Sequence, residues 1–92
     1  MISVRESLEI VNKRGLHARA SARFVNTVTE EFEHLDIKVA KDCTEAEGGS
    51  ILGLMMLGAA KGDTIEIIVS GDGADQALAT LVRLVRNGFG EE

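Results

Sequence analysis

Hydrophobic and polar residues follow two different periods along this chain, and these periods predict its strands and helices. Hydrophobic side chains at every second position are typical of strands with one buried face. This pattern occurs in three segments, residues 2–10, 35–40 and 64–69. Only Glu6 interrupts the hydrophobic side of the first segment. A shorter strand is expected near residues 43–47, after a turn at residues 41–42.

A period of three to four residues between hydrophobic positions is typical of amphipathic helices. It predicts one helix over residues 18–32 and another over residues 74–85, with Gly88 ending the second. Ser50 is suited to cap a short third helix over residues 51–57, because serine accepts hydrogen bonds from free N–H groups in the first turn. The predicted order is therefore β-α-β-β-α-β-α.

Four strands that each hide one face predict an antiparallel sheet with helices on one side only. The fold class is therefore α+β, a two-layer open-faced sandwich with three helices on one face of a four-stranded antiparallel sheet. A chain of 92 residues has room for one such domain, so we expect a single domain over residues 1–92.

Composition and charge exclude several classes of function. The net charge of −5 and the absence of tryptophan and tyrosine argue against nucleic-acid binding. The longest apolar stretch, residues 51–60, contains two glycines and is too short to cross a membrane. Cys43 is the only cysteine, so an internal disulfide is impossible, and we expect a cytoplasmic protein. Metal-ligand spacing and a glycine-rich nucleotide loop are both lacking, so neither a metal nor a cofactor is expected.

The segment GLHARAS, residues 15–21, places a histidine where the first helix begins. Free N–H groups and the positive end of the helix dipole meet at His17 and favour an anion. The positive charge of Arg19 in the first turn is unfavourable for an isolated helix, but an anion bound nearby would make the electrostatic energy of that charge favourable. Arg14 lies in the segment that leads to His17 and could also contact such an anion. A neutral imidazole is also a nucleophile, so His17 is a candidate acceptor for a phosphoryl group.

Residues 15–21 together with SILGLMMLG, residues 50–58, resemble HPr, the histidine-containing phosphocarrier of the bacterial phosphoenolpyruvate-dependent phosphotransferase system. The resemblance implies that His17 takes a phosphoryl group on Nδ1 from phosphoenzyme I and passes it to a histidine of enzyme IIA. It also implies that Arg19 attends the phosphate. We expect Ala18, Arg19 and Arg14 to contact that group.

The resemblance also suggests regulation and docking. Ser50 matches the target of a regulatory serine kinase in many members. The 51–57 helix and the start of the first helix are implied to dock enzyme I and the IIA proteins together, which assigns docking roles to Ala20, Ile51, Leu52, Met55 and Met56. We expect a monomer. Two positions depart from the family: Ala20 stands where proline is common, and Gly49 stands where lysine often precedes the serine.

Three alternatives remain open at this stage. The chain is either a sugar-transport carrier or the paralogous nitrogen-related carrier, often called NPr. It is also compatible with a regulatory binding module in which the 51–57 helix docks a partner and His17 is inert. A histidine phosphotransfer domain fits poorly, because such domains are all-helical bundles and this chain has clear strands.

Overall fold

The computed structural model describes residues 3–91. The strands are β1 (Ser3–Glu9), β2 (Asp36–Lys41), β3 (Thr44–Glu47) and β4 (Thr64–Ser70). The α-helices are α1 (Ala18–Glu31), α2 (Ile51–Met56) and α3 (Ala74–Arg86). The predicted order is confirmed, and the predicted boundaries within these residues are correct to within a residue or so. Ile2, predicted to begin the first strand, lies outside the described residues.

A short 3-10 turn over Gly88–Gly90 follows α3 and was not predicted. Gly88 does end the helical pattern, but the chain then turns back towards the rest of the fold. Phe89 in this turn has a left-handed backbone, with φ of 59°, and its side chain is completely buried. Such a backbone is uncommon for a bulky residue, so burial of the ring in the core must offset the strain.

The four strands form one antiparallel sheet in the order β1-β4-β2-β3. The register places Leu8 opposite Ile65 and Val39 opposite both Ile67 and Ala46. These side chains all point to the same face, which the three helices cover. The predicted two-layer α+β fold is therefore confirmed.

Buried side chains from the sheet and the helices form one hydrophobic core. Phe24 of α1, Leu81 of α3 and Ile67 of β4 are among its fully buried members. Glu6, the single interruption in the first strand, accepts a hydrogen bond of 2.7 Å from Arg86 at the end of α3. This ion pair explains how a carboxylate is accommodated at the edge of the helix-covered face.

Within residues 3–91, no helix is both long and apolar enough to span a bilayer. The same residues contain no group of three or more His, Cys, Asp or Glu side chains placed to hold a metal ion.

Candidate functional site

His17 is the N-cap of α1, as its sequence context predicts. Its backbone is extended, with φ of −78° and ψ of −176°, and its carbonyl accepts from Ser21 N–H at 2.9 Å. Its side-chain Nδ1 accepts from Arg19 N–H at 3.3 Å. The imidazole thus takes the place of the usual serine or aspartate cap, and Nδ1 faces the free N–H groups of the helix.

The loop before His17 depends on a glycine. Gly15 has φ of 63°, and a Cβ added there would lie 2.2 Å from the carbonyl oxygen of Ala59. The next residue, Leu16, donates its N–H to that same oxygen at 2.9 Å. Since only glycine permits this approach, Gly15 fixes the loop against the segment that follows α2.

Ser21 secures the same loop from inside the helix. Its side chain is fully buried, and its hydroxyl donates to the carbonyl of Leu16 at 3.2 Å. A buried hydroxyl needs such a partner, because an unpaired one costs about 1–3 kcal/mol. Leu16, immediately before His17, is therefore held on both sides: its N–H donates to Ala59, and its carbonyl accepts from Ser21.

The second ring nitrogen of His17 contacts a residue that the sequence reasoning missed. Nε2 lies 2.6 Å from Oε2 of Glu91, just after the 3-10 turn. Asn12 also contacts this carboxylate: its Nδ2 donates to Oε1 of Glu91 at 3.1 Å and to the carbonyl of Gly15 at 2.9 Å. Both partners of Asn12 are acceptors, which defines the orientation of its amide. Asn12 is itself 5% exposed.

The contacts with His17 and Asn12 favour the ionised form of Glu91. Partial burial raises the pKa of the Glu91 carboxyl, but the hydrogen bonds with His17 and Asn12 lower it, and the charges of His17 and Arg19 lower it further. The net effect is a pKa below the usual range of a glutamate. At neutral pH, Glu91 therefore presents a full negative charge to the imidazole.

These two contacts assign the tautomer of the His17 ring. A carboxylate can only accept, so Nε2 must carry the proton that it shares with Glu91. Nδ1 accepts from a backbone N–H, so it carries the lone pair. The side chain of His17 is 22% exposed. The arrangement thus presents a nucleophilic Nδ1 at a partly open helix N-terminus, where a phosphoryl group would meet N–H donors.

The predicted phosphate contacts are distributed around this point. Ala18 and Arg19 form the exposed first turn of α1, which contains no acidic residue. Arg14 is exposed in the turn between Asn12 and Gly15. In the part of the chain that the structure describes, the guanidinium groups of Arg14 and Arg19 form no ion pair within 4 Å.

Ser50 is the N-cap of α2, and its Oγ accepts from Gly53 N–H at 2.9 Å. The helix it begins has one buried side, where Leu54 has no exposed surface. The opposite side forms a surface that we call the α2 patch, made of Ile51, Leu52, Met55 and Met56, which are 39%, 68%, 41% and 75% exposed. Since Ala59 bonds to Leu16, the segment after α2 lies against the loop that carries His17.

The expected docking role of Ala20 is wrong. Ala20 has no exposed surface and belongs to the hydrophobic core. It precedes Phe24 and Val28 by one and two helical turns, and all three lie on the buried side of α1. A residue on this stripe cannot present its side chain to a partner, so the exposed start of α1 consists of Ala18 and Arg19.

The chain is similar to known phosphocarrier proteins over nearly its whole length. The family model described as the PTS HPr component phosphorylation site matches residues 4–87. The chain is 43% identical over 88 residues to a phosphocarrier protein HPr of Neisseria meningitidis, covering 96% of this chain and 97% of that protein. It is 34% identical over 91 residues to the phosphocarrier protein NPr of Escherichia coli, covering 99% and 100% of the two chains.

The fold is also that of a solved relative. A crystal structure of HPr-C-His from Thermoanaerobacter tengcongensis superposes with a TM-score of 0.86 at 39% sequence identity, covering 100% of this chain and 99% of that one. The match extends over the sheet, the helices and the segment that carries His17. The chain therefore belongs to the HPr family, the phosphocarrier proteins of the phosphotransferase system.

Proposed function

We propose that this chain accepts a phosphoryl group from phosphoenzyme I on Nδ1 of His17 and passes it to a histidine of an enzyme IIA protein. The observation that supports this most directly is the position of His17 as the N-cap of α1, with the Nδ1 lone pair facing the helix N-terminus. The hydrogen bond from Arg19 N–H to Nδ1 is long at 3.3 Å, so it is weak. Breaking it costs little stability when Nδ1 bonds to phosphorus instead.

The transfer step uses groups that are already in place. The lone pair of Nδ1 forms a bond to phosphorus while the bond between phosphorus and the donor atom of enzyme I breaks, and the electron pair of that bond leaves with the donor. The phosphoryl oxygens then accept from the N–H groups of the first turn, including that of Arg19. The guanidinium of Arg19 lies on the same exposed turn and balances their charge.

Docking is assigned to the α2 patch. Exposed methionine and leucine side chains adapt to different partners, as a carrier with a donor and several acceptors requires. The chain itself carries one phosphoryl group per cycle and is regenerated when it passes that group on, so we regard it as a carrier rather than an enzyme. We also propose that it is cytoplasmic and that it acts as a monomer.

Intact-mass measurement tests the proposal. The parent protein should gain one phosphoryl group when incubated with phosphoenolpyruvate and enzyme I, and His17→Ala should gain none. His34→Ala is the matched control, because His34 is exposed in a turn outside the site. An acid-labile phosphate on His17→Ala would contradict the assignment. An unmodified parent would instead favour the regulatory binding module.

The branch of the phosphotransferase system is a separate question, because relatives named HPr and NPr both match over nearly the whole chain. We propose the sugar-transport branch, with the nitrogen-related branch as the alternative. Initial rates of phosphorylation by the enzyme I of each branch, at equal concentrations, decide between them. The faster donor identifies the branch.

A further inference from the structure

We propose that Glu91 is a positioning residue for His17, fixing its tautomer and supporting the positive charge that the ring acquires during phosphoryl transfer. Its effect on transfer rests on the proposed function; its effect on the tautomer does not. The inference starts from the 2.6 Å contact between Oε2 of Glu91 and Nε2 of His17, in which the two side chains are 16% and 22% exposed. A short, partly buried, charge-assisted contact is stronger than one at an open surface.

The carboxylate is held in place by structure on two sides. Phe89 is fully buried two residues earlier, which anchors the turn in the core, and Glu91 N–H donates to the carbonyl of Gly88 at 3.1 Å. Gly88 itself lies against Asn12, since a Cβ added to it would be 3.5 Å from Cβ of Asn12. Asn12 then donates to the other carboxylate oxygen at 3.1 Å. The backbone and both oxygens of Glu91 are therefore constrained.

The first consequence concerns the free ring. An isolated neutral imidazole exchanges its proton between the two nitrogens, and only the form with Nδ1 unprotonated can attack through that atom. A carboxylate at 2.6 Å from Nε2 retains the proton there. Among neutral rings, Glu91 thereby favours the tautomer whose Nδ1 can react, and it holds the ring plane in one orientation.

The second consequence concerns the reacting ring. When Nδ1 bonds to phosphorus and Nε2 keeps its proton, the imidazole gains a positive charge, and no proton has to leave. The carboxylate of Glu91 stabilises that charge through the same hydrogen bond.

Nitrogen NMR of the ring and transfer kinetics, measured on two variants, separate these effects. Glu91→Ala removes the acceptor and the charge. It should give ring nitrogen shifts that move towards the average of the two tautomers, and phosphorylation by enzyme I should be about tenfold slower.

Glu91→Gln keeps an oxygen that can accept from Nε2–H but removes the charge. It should keep more of the parent tautomer while still slowing transfer. Glu31→Gln, at the opposite end of α1, is the control for net charge and should match the parent.

Each outcome decides a separate part of the proposal. Parent-like ring shifts in Glu91→Ala would overturn the tautomer role, and a parent-like transfer rate would overturn the charge role. Circular dichroism of each variant excludes a loss of fold as the cause. If the parent protein takes no phosphoryl group, the proposed function fails, but the ring shifts still show whether Glu91 positions the imidazole.

Discussion

Nε2 of His17 and Oε2 of Glu91 lie 2.6 Å apart although 74 positions separate them in the chain. The contact joins the N-cap of α1 to the residue that follows the 3-10 turn after α3. The histidine that we propose as the phosphoryl acceptor therefore contacts two segments, the first turn of α1 through Nδ1 and the residue after the 3-10 turn through Nε2. Because the Glu91 carboxyl titrates, the pH dependence of stability reports on this contact.

The stability of the protein should depend on Glu91 in the acid range. Its pKa is lower in the folded chain than the ordinary value of 4.5. A carboxyl of this kind contributes stability above its unfolded pKa, and this contribution is lost as the pH falls through the lower, folded pKa. The free energy of unfolding of Glu91→Gln, from urea titrations, should thus lie below that of the parent at neutral pH. The gap should close below about pH 4. A gap that stays constant between pH 7 and pH 3 would contradict the prediction.

The elements of the fold were predictable because their signals are local. Alternation and helical periodicity each depend on a few neighbouring residues, and capping residues such as His17 and Ser50 mark where helices begin. The boundaries therefore agree with the structure to within a residue or so. Glu6 was correctly seen as an exception, but its partner Arg86 depends on how α3 packs against β1.

The site was predictable only in part. Asn12 and Glu91 lack a local signal, because their contacts exist only after the topology brings the 3-10 turn to the loop before α1. The left-handed Phe89 that makes this turn is stabilised by burial in the core, which no local pattern reveals. Ala20 was misassigned because the resemblance gave it a role without regard to the side of the helix on which it lies.

Arg19 should matter more for transfer than for folding. It is exposed and lies at the helix end where a positive charge is unfavourable, so Arg19→Ala should change the free energy of unfolding by about 0.5 kcal/mol or less. Its phosphorylation by enzyme I should be about tenfold slower or more, because the phosphoryl charge loses a preorganised partner. Arg83→Ala is the control, since Arg83 is exposed in the last turn of α3. Equal transfer rates in the two variants would remove Arg19 from the site.

Gly15 should tolerate substitution far less well than Gly58. The two have nearly the same backbone, with φ of 63° and 66°, but only Gly15 has atoms within 4 Å of an added Cβ. Gly58→Ala should therefore lose about 1–2 kcal/mol from left-handed strain alone. Gly15→Ala should lose this and at least about 2 kcal/mol more, because the Leu16 to Ala59 hydrogen bond must open. Urea unfolding of both variants tests the difference, and similar losses would show that the close approach is unimportant.

The α2 patch should contribute to binding without contributing much to folding. Leu52 and Met56 are 68% and 75% exposed, so Leu52→Gln and Met56→Gln should each change stability by about 0.5 kcal/mol or less. Each should raise the KM for phosphorylation by enzyme I while leaving kcat close to that of the parent. Leu54→Ala, on the buried side of the same helix, should instead lose about 2–5 kcal/mol of stability. An unchanged KM in both glutamine variants would place the docking surface elsewhere.

Ser50 is expected to combine a structural role with a regulatory one. As the N-cap of α2 it accepts from Gly53 N–H at 2.9 Å, so Ser50→Ala should lose about 1 kcal/mol of stability. Aspartate caps helices as well as serine does, so Ser50→Asp should remain close to the parent in stability while adding a negative charge beside the α2 patch. A phosphate from a serine kinase would add about two such charges at the same place.

The regulatory role predicts that this charge slows transfer, because a negative charge beside the α2 patch repels any acidic side chain of enzyme I that docks there. Phosphorylation of His17 should be slower in Ser50→Asp than in Ser50→Ala, although Ser50→Asp should be the more stable of the two. This opposite order of stability and rate separates the switch from a simple loss of fold. Glu45 and Glu47 already make this edge acidic, and Gly49 stands where lysine is common, so the added charge acts against an existing negative background. Equal transfer rates in the two variants would leave Ser50 as a helix cap alone, because the charge would then have no effect on docking.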